Sequence, residues 1–227
     1  MEIRLSWFEC FVVCILIALP LLYELSATFK YYSKMCLYLL MMNVTAVLLL
    51  PVALLRPLNT ANFKTCMNIY IQMTRMFGVK VELINGEYLD TKGPYILVCN
   101  HQSSLDMIVM ANIWPNNCVC MVKKELMYAG PFGLALKLCG AIFVDRRQSG
   151  ANRQTMTDVF ANVKAKSIRV WVFPEGTRNH EFGMLPFKKG AFHLAVTAQI
   201  PIVPIVVSSY SEFYSKKESR FGTAHLT

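Results

Sequence analysis

The segment Tyr95-Ile96-Leu97-Val98-Cys99-Asn100-His101-Gln102-Ser103-Ser104-Leu105-Asp106 decides how this chain is read. An unbroken apolar run ends in a polar loop, and an apolar stretch of helical length, residues 105–113, follows at once. Unbroken rather than alternating apolar residues mark a strand buried on both faces. The same design returns at residues 169–173, which run into Pro174-Glu175-Gly176-Thr177-Arg178-Asn179. Working outward, strand-like runs occupy 79–84, 118–122, 142–144 and 202–207. Helical runs lie between them at 126–138, 152–166 and 188–199. In the second of these, Met156, Val159, Phe160 and Val163 fall at i, i+3, i+4 and i+7. This alternation predicts an α/β domain with a largely parallel or mixed sheet flanked by helices. A helix carrying Phe63, Cys66, Met67, Tyr70 and Ile71 precedes it, and Gly78 is its stop signal.

Upstream the composition changes. Of the 227 residues, 55% are hydrophobic and 16% charged, whereas a soluble domain carries about 25% charged residues. Disorder is excluded, and an ordinary water-soluble globule is disfavoured. The apolar excess lies in two stretches, residues 7–23 (interrupted by Glu9 and Pro20) and the uncharged 35–55. At about 1.5 Å per residue the second is long enough to cross about 30 Å of hydrocarbon. The expected organisation is an N-terminal membrane helical hairpin over 1–57 and an α/β domain over 58–227. One span with an interfacial helix, or a cleaved first segment, are the alternatives. Lys30 and Lys34 between the stretches balance Arg56, Lys64 and Arg75 after them, so basic residues favour neither orientation.

Net charge is +9, and residues 1–56, with four basic and three acidic residues, hold only +1 of it. A basic domain on a greasy anchor suits an anionic membrane surface or phosphorylated substrates. Nucleic acid suits the charge but not the anchor. The eight cysteines form no C-x-x-C or Cys/His ligand pattern. They are expected as reduced, buried thiols, with no structural metal.

The polar residues gather where strands end, the usual place for chemistry in such folds. His101 and Asp106 are five apart, so they meet only if His101 lies in the loop and Asp106 in the first helical turn, with Ser103 or Ser104 capping. The carboxylate then holds one ring nitrogen protonated and leaves the other free as a base. A helix cap is the plainer account of the same residues. In the second loop, Gly176 exposes backbone N–H groups, Thr177 adds a hydroxyl and Arg178 a planar fork for phosphate oxygens. A solvated surface turn would look the same. Lys123, Lys124, Arg146 and Arg147 put further cations at strand ends. The prolines of Ile200-Pro201-Ile202-Val203-Pro204-Ile205-Val206-Val207 predict a sheet edge or a close approach of backbone, with an apolar surface that is either core or the floor of an acyl groove.

In order and spacing, NHQSSLD, KKEL, GAIFVDR, FPEGTRN and IPIVPIV resemble the motif set of the glycerolipid acyltransferases, most closely the 1-acylglycerol-3-phosphate (lysophosphatidic acid) acyltransferases of the alpha type. The resemblance covers roughly 30–221. It implies transfer from acyl-CoA to the sn-2 hydroxyl of lysophosphatidic acid, with His101 as general base and Asp106 as its orienting partner. It further implies that Glu175, Gly176, Thr177 and Arg178 shape the acceptor site, with Arg178 on the phosphate, and that Arg146 and Lys123 contact phosphate or CoA. No cofactor is expected besides acyl-CoA as co-substrate, and the partners are lysophosphatidic acid and membrane lipids. An integral protein of the endoplasmic reticulum is implied. Direct transfer without an acyl-enzyme agrees with the lack of a G-x-S-x-G elbow. The resemblance also implies a further strand, a proline-containing segment and a basic tail after residue 221. With Gly222–Thr227 in their place, a missing strand, an unpaired edge and lowered activity are expected. A different lysolipid or glycerol 3-phosphate as acceptor, or an inactive membrane interaction protein, are the competing readings. A metal-dependent hydrolase is disfavoured, since His101, His180, His193 and His225 form no H-E-x-x-H.

Overall fold

Ser6 starts the first helix by a reciprocal exchange: its backbone N–H donates to the Glu9 carboxylate at 2.6 Å, and its hydroxyl accepts the Glu9 N–H at 3.3 Å. Glu9, an interruption in the apolar run, is thus part of a helix cap. The structure, a computed structural model, describes residues 6–145, 152–181 and 183–227, with the backbone alone for 152–156 and 158. The first half of the chain holds α1 (Trp7–Leu25), α2 (Ala27–Leu55), α3 (Ala61–Thr74), β1 (Val79–Val81), β2 (Ile96–Cys99), α4 (Asp106–Ile113) and β3 (Cys118–Lys123). Then come α5 (Gly130–Leu138), β4 (Ile142–Val144), α6 (Asn152–Ala165), β5 (Arg169–Val172), α7 (Gly190–Ala198) and β6 (Ile202–Ile205). Three short strands follow, β7 (Tyr214–Ser215), β8 (Arg220–Phe221) and β9 (Ala224–Leu226).

Both α1 and α2 are long and apolar enough to cross a membrane. They differ from the sequence expectation in their junction. Ser26 alone separates them, closing α1 through its N–H to Leu22 O and capping α2 by accepting the Phe29 N–H. Lys30 and Lys34 therefore lie on the first turns of α2, not in a connecting loop. No residue of α1 is buried. In α2, Tyr31, Tyr38, Thr45, Ala46, Leu49 and Ala53 are buried, a stripe on one helix face. That stripe packs on α3, α5 and β8, while Leu39, Leu40, Val47, Leu48 and Leu54 face outward. Cys10, Cys14 and Cys36 are exposed on these two helices, unlike the buried Cys99, Cys118, Cys120 and Cys139.

The main sheet has the order β4-β3-β5-β2-β6, and each neighbouring pair is parallel. β2 is buried at all four positions because strands flank both its sides and helices cover both its faces. Below it Trp114 and Trp171 stack at 5.6 Å, and Phe63 of α3 packs on Trp114 at 5.2 Å. β6 is an edge strand, as its prolines predict: Pro204 lies opposite Val98 on its paired side and has no N–H to offer on either. In α6, Phe160 and Val163 are buried and Val159 half-buried, while the Met156 side chain lies outside the described residues.

The strand expected to be missing after Gly222 is present. β9 pairs in parallel with β1, Val79 opposite Ala224 and Val81 opposite Leu226. Gly78 makes this approach feasible. Its φ of 66° is left-handed, and a Cβ there would lie 2.6 Å from Thr223 Cγ2. Ser208 N–H also donates to Thr227 O at 2.8 Å, tying this last strand to the segment after β6.

Candidate functional site

Parallel strands send their C-terminal ends to one edge of the sheet, and the polar loops of the sequence collect there. Val98 of β2 is level with Val172 of β5, so the loops 100–105 and 173–179 leave the sheet side by side. They are joined at once: His101 N–H donates to Glu175 Oε1 at 2.7 Å, and Asn179 N–H to His101 O at 2.8 Å.

His101 and Asp106 meet as their spacing requires. His101 Nδ1 lies 2.6 Å from Asp106 Oδ2. An ionised carboxylate only accepts, so Nδ1 carries the proton and Nε2 keeps its lone pair. The Asp106 side chain is 7% exposed and that of His101 21%, which leaves the imidazole, not the carboxylate, open to a substrate. Asp106 also accepts the N–H groups of Gln102 at 3.0 Å and Ser103 at 3.2 Å, and so holds the whole turn. Ser103 serves this turn rather than the expected helix cap: its hydroxyl accepts the Leu105 N–H at 2.9 Å. Phe173 stacks on one face of the imidazole, ring centres 4.0 Å apart.

The sequence reading assigned no role to the two amides flanking His101. Asn100 Nδ2 donates to Val207 O at 3.0 Å and its Oδ1 accepts the Val207 N–H at 2.8 Å, imitating a peptide of the ladder. Gln102 Nε2 donates to Ser208 O at 2.9 Å, and Oε1 accepts the Tyr210 N–H at 3.0 Å. Two amides around a histidine were the available signal. No local signal exists for Tyr38, whose hydroxyl donates to Ser104 O and ties α2 to the same loop.

Glu175 is 3% exposed, and its second oxygen accepts the Leu185 N–H at 2.8 Å. Its carboxylate is thus occupied by the protein on both sides. Gly176 is buried with φ 70°, while Thr177 and Arg178 are exposed on the same loop. Lys123, also exposed, ends β3 beside β5; Cys120, three residues earlier, is level with Trp171. Arg146 lies outside the described residues.

Two further groups bear on nucleophilic chemistry. Burial, then the charges of Asp106 and Glu175, push the Cys99 thiol well above its ordinary range, so it stays protonated and inert. Burial, then the nearby Asp106 carboxylate, do the same to the Tyr210 phenol. An apolar cavity of about 710 Å³ opens between β6 and the β1–β9 pair, lined by Ile84, Val109, Ile113, Ile202 and Val206. Val207 and Ser208, held by Asn100 and Gln102, border it.

The family model Acyltransferase matches residues 80–208. A 1-acyl-sn-glycerol-3-phosphate acyltransferase alpha from Ovis aries is 46% identical over 203 residues, covering 89% of this chain and 71% of the relative. The Homo sapiens alpha protein is equally similar, with 72% of its length covered.

The chain belongs to the 1-acyl-sn-glycerol-3-phosphate acyltransferase family.

The Saccharomyces cerevisiae 1-acyl-sn-glycerol-3-phosphate acyltransferase is 42% identical over 164 residues, covering 71% of this chain and 54% of the yeast protein. The fold has a solved counterpart in the 1-acyl-sn-glycerophosphate (LPA) acyltransferase PlsC from Thermotoga maritima, with TM-score 0.58 and 19% identity. That likeness covers 88% of this chain and 80% of the other. The region matched by the family model begins on β1 and ends just after β6. It therefore spans the sheet and both polar loops, whereas α1 and α2 precede it.

Proposed function

We propose that this chain transfers an acyl group from acyl-CoA to the sn-2 hydroxyl of 1-acyl-sn-glycerol 3-phosphate, giving phosphatidic acid and CoA. The observation that carries this reading is the 2.6 Å contact between His101 Nδ1 and a nearly buried Asp106. Nε2 takes the proton of the sn-2 hydroxyl as its oxygen attacks the thioester carbonyl. Asp106 stabilises the imidazolium that forms. The tetrahedral intermediate collapses, the C–S bond breaks, and the proton on Nε2 passes to the departing thiolate. No side chain is acylated, in keeping with the protonated Cys99 and the hydrogen-bonded Ser103 beside His101.

Arg178 meets the acceptor phosphate with its planar fork, and the +8 carried outside residues 1–56 suits both this group and the phosphates of CoA. The outward apolar faces of α1 and α2 hold the protein in the membrane, in the endoplasmic reticulum, where both lipid substrate and product stay dissolved in the bilayer. The names of the relatives support the acceptor, since those proteins are 1-acyl-sn-glycerol-3-phosphate acyltransferases. The test is turnover by the purified membrane protein with labelled acyl-CoA. Phosphatidic acid should form from lysophosphatidic acid far faster than any product forms from glycerol 3-phosphate or lysophosphatidylcholine. Equal or faster use of either of those acceptors would overturn the assignment.

A further inference from the structure

Lys188 lies outside every motif that singled out the site, yet its side chain lies across the second site loop. A Cβ on Gly176 would stand 2.7 Å from Lys188 Nζ, 2.9 Å from Cε and 3.0 Å from Cδ. The lysine therefore occupies the space that a side chain at 176 would fill. Its backbone is fixed to the same loop, because Lys188 N–H donates to Pro174 O at 2.8 Å. Three residues earlier the Leu185 N–H donates to Glu175 Oε2 at 2.8 Å, and Glu175 Oε1 accepts the His101 N–H at 2.7 Å. A short chain of hydrogen bonds thus ties the position of Lys188 to that of the catalytic imidazole.

A lysine with no task at a site extends into water, where its ammonium is strongly hydrated and its stem keeps its rotamer freedom. Lys188 instead stays over a buried glycine while remaining exposed, and its ammonium has no hydrogen bond or ion pair among the described residues. Two positions after Gly176 on the same loop, Arg178 is exposed in the same way. The one glycine turn thus carries two exposed cations, and neither has an ion pair among the described residues. Glu175, the carboxylate of that loop, is turned inward and occupied by two N–H groups.

We propose that Lys188 binds a substrate phosphate together with Arg178, a positioning role that rests on the acyl transfer described above. The ammonium supplies a point charge and Arg178 the fork, a pairing that suits the two charges of a phosphate monoester. Besides its positive φ, Gly176 leaves the lysine its place, since a Cβ there would push the end of the Lys188 side chain aside.

The test measures KM and kcat for wild type, Lys188→Met and Lys188→Arg, with lysophosphatidic acid and acyl-CoA varied in turn. Binding of lysophosphatidic acid and of lysophosphatidylcholine to the same proteins is measured without donor. For Lys188→Met, KM and Kd for lysophosphatidic acid should rise about tenfold, as expected for loss of a charged hydrogen bond. kcat should stay within about threefold, and Lys188→Arg should recover most of the loss. A rise confined to acyl-CoA would move the phosphate from acceptor to donor while leaving the proposal standing. A change under twofold for both substrates, an equal weakening of lysophosphatidylcholine, or a fall in kcat alone would overturn it. Failure of the acyl-transfer reading shows separately, as a wild type that makes no phosphatidic acid, and the binding arm still decides Lys188.

Discussion

The loops after β2 and β5 leave neighbouring parallel strands at the same level, yet they treat their polar groups in opposite ways. In the first, the protein satisfies nearly everything: Asp106 takes Nδ1 of His101 and two backbone N–H groups, and Asn100 and Gln102 are used at both ends of their amides. In the second, Glu175 is similarly consumed, but Thr177, Arg178 and the overlying Lys188 are exposed. The contrast fits the roles proposed for the two loops. A base needs one fixed tautomer and direction, which only internal hydrogen bonds can impose. A phosphate brings its own charge, and cations already paired within the protein would have to release a partner to receive it.

Substitutions can break that division, and the largest effect belongs to the first loop. His101→Ala should lower kcat by about 10²–10⁴-fold with the melting temperature nearly unchanged, as steady-state assays and thermal unfolding would report. Asp106→Asn should be severely impaired too, since an amide cannot stabilise the imidazolium. Retention of more than about half the activity in His101→Ala would remove the base from the mechanism.

Next in size comes Arg178→Lys, which keeps the charge and loses the fork. KM for lysophosphatidic acid should rise about tenfold while that for acyl-CoA hardly moves. Equal changes in both would place Arg178 with the structural residues of the loop and blur the contrast.

Glu175→Gln sharpens the comparison, because it leaves the shape of the clasp and removes one acceptor. One of the N–H groups of His101 and Leu185 then faces an amide NH₂. The expected cost is about 1–3 kcal/mol, or a few degrees in Tm at about 2–4 °C per kcal/mol for a domain of this size. KM for the acceptor should change less than in Arg178→Lys. A large KM effect with unchanged Tm would show that Glu175 contacts substrate.

The smallest effect is expected at Cys99. Only the thiolate reacts, and burial with two nearby carboxylates keeps this thiol protonated through neutral pH and above. Treatment of the folded enzyme with an alkylating agent at about pH 8, below the ordinary thiol value of about 8.5, should leave Cys99 unmodified by mass spectrometry. The exposed Cys10, Cys14 and Cys36 are the positions to compare, in detergent rather than bilayer.

Local pattern determined much of this protein. The runs at 95–99, 118–122, 142–144 and 169–173 became β2, β3, β4 and β5 within a residue or so at each end, because a strand buried on both faces must be apolar throughout. Pro201 and Pro204 placed β6 at the edge for want of N–H donors. The five-residue spacing of His101 and Asp106 required a loop and a helical turn, and that is the geometry found. Tertiary structure decided the rest. The burial of one face of α2 depends on α3, α5 and β8, and an equally apolar outer face conceals the stripe from any composition argument. The pairing of β9 with β1 joins two three-residue strands from opposite ends of the domain, and segments so short carry no period to read. Glu175 receives His101 from 74 positions away and Leu185 from 10, and Lys188 reaches Gly176 only because a backbone bond brings it there. Such contacts join side chains to backbone groups that every residue possesses, so the sequence on the far side bears no mark of them.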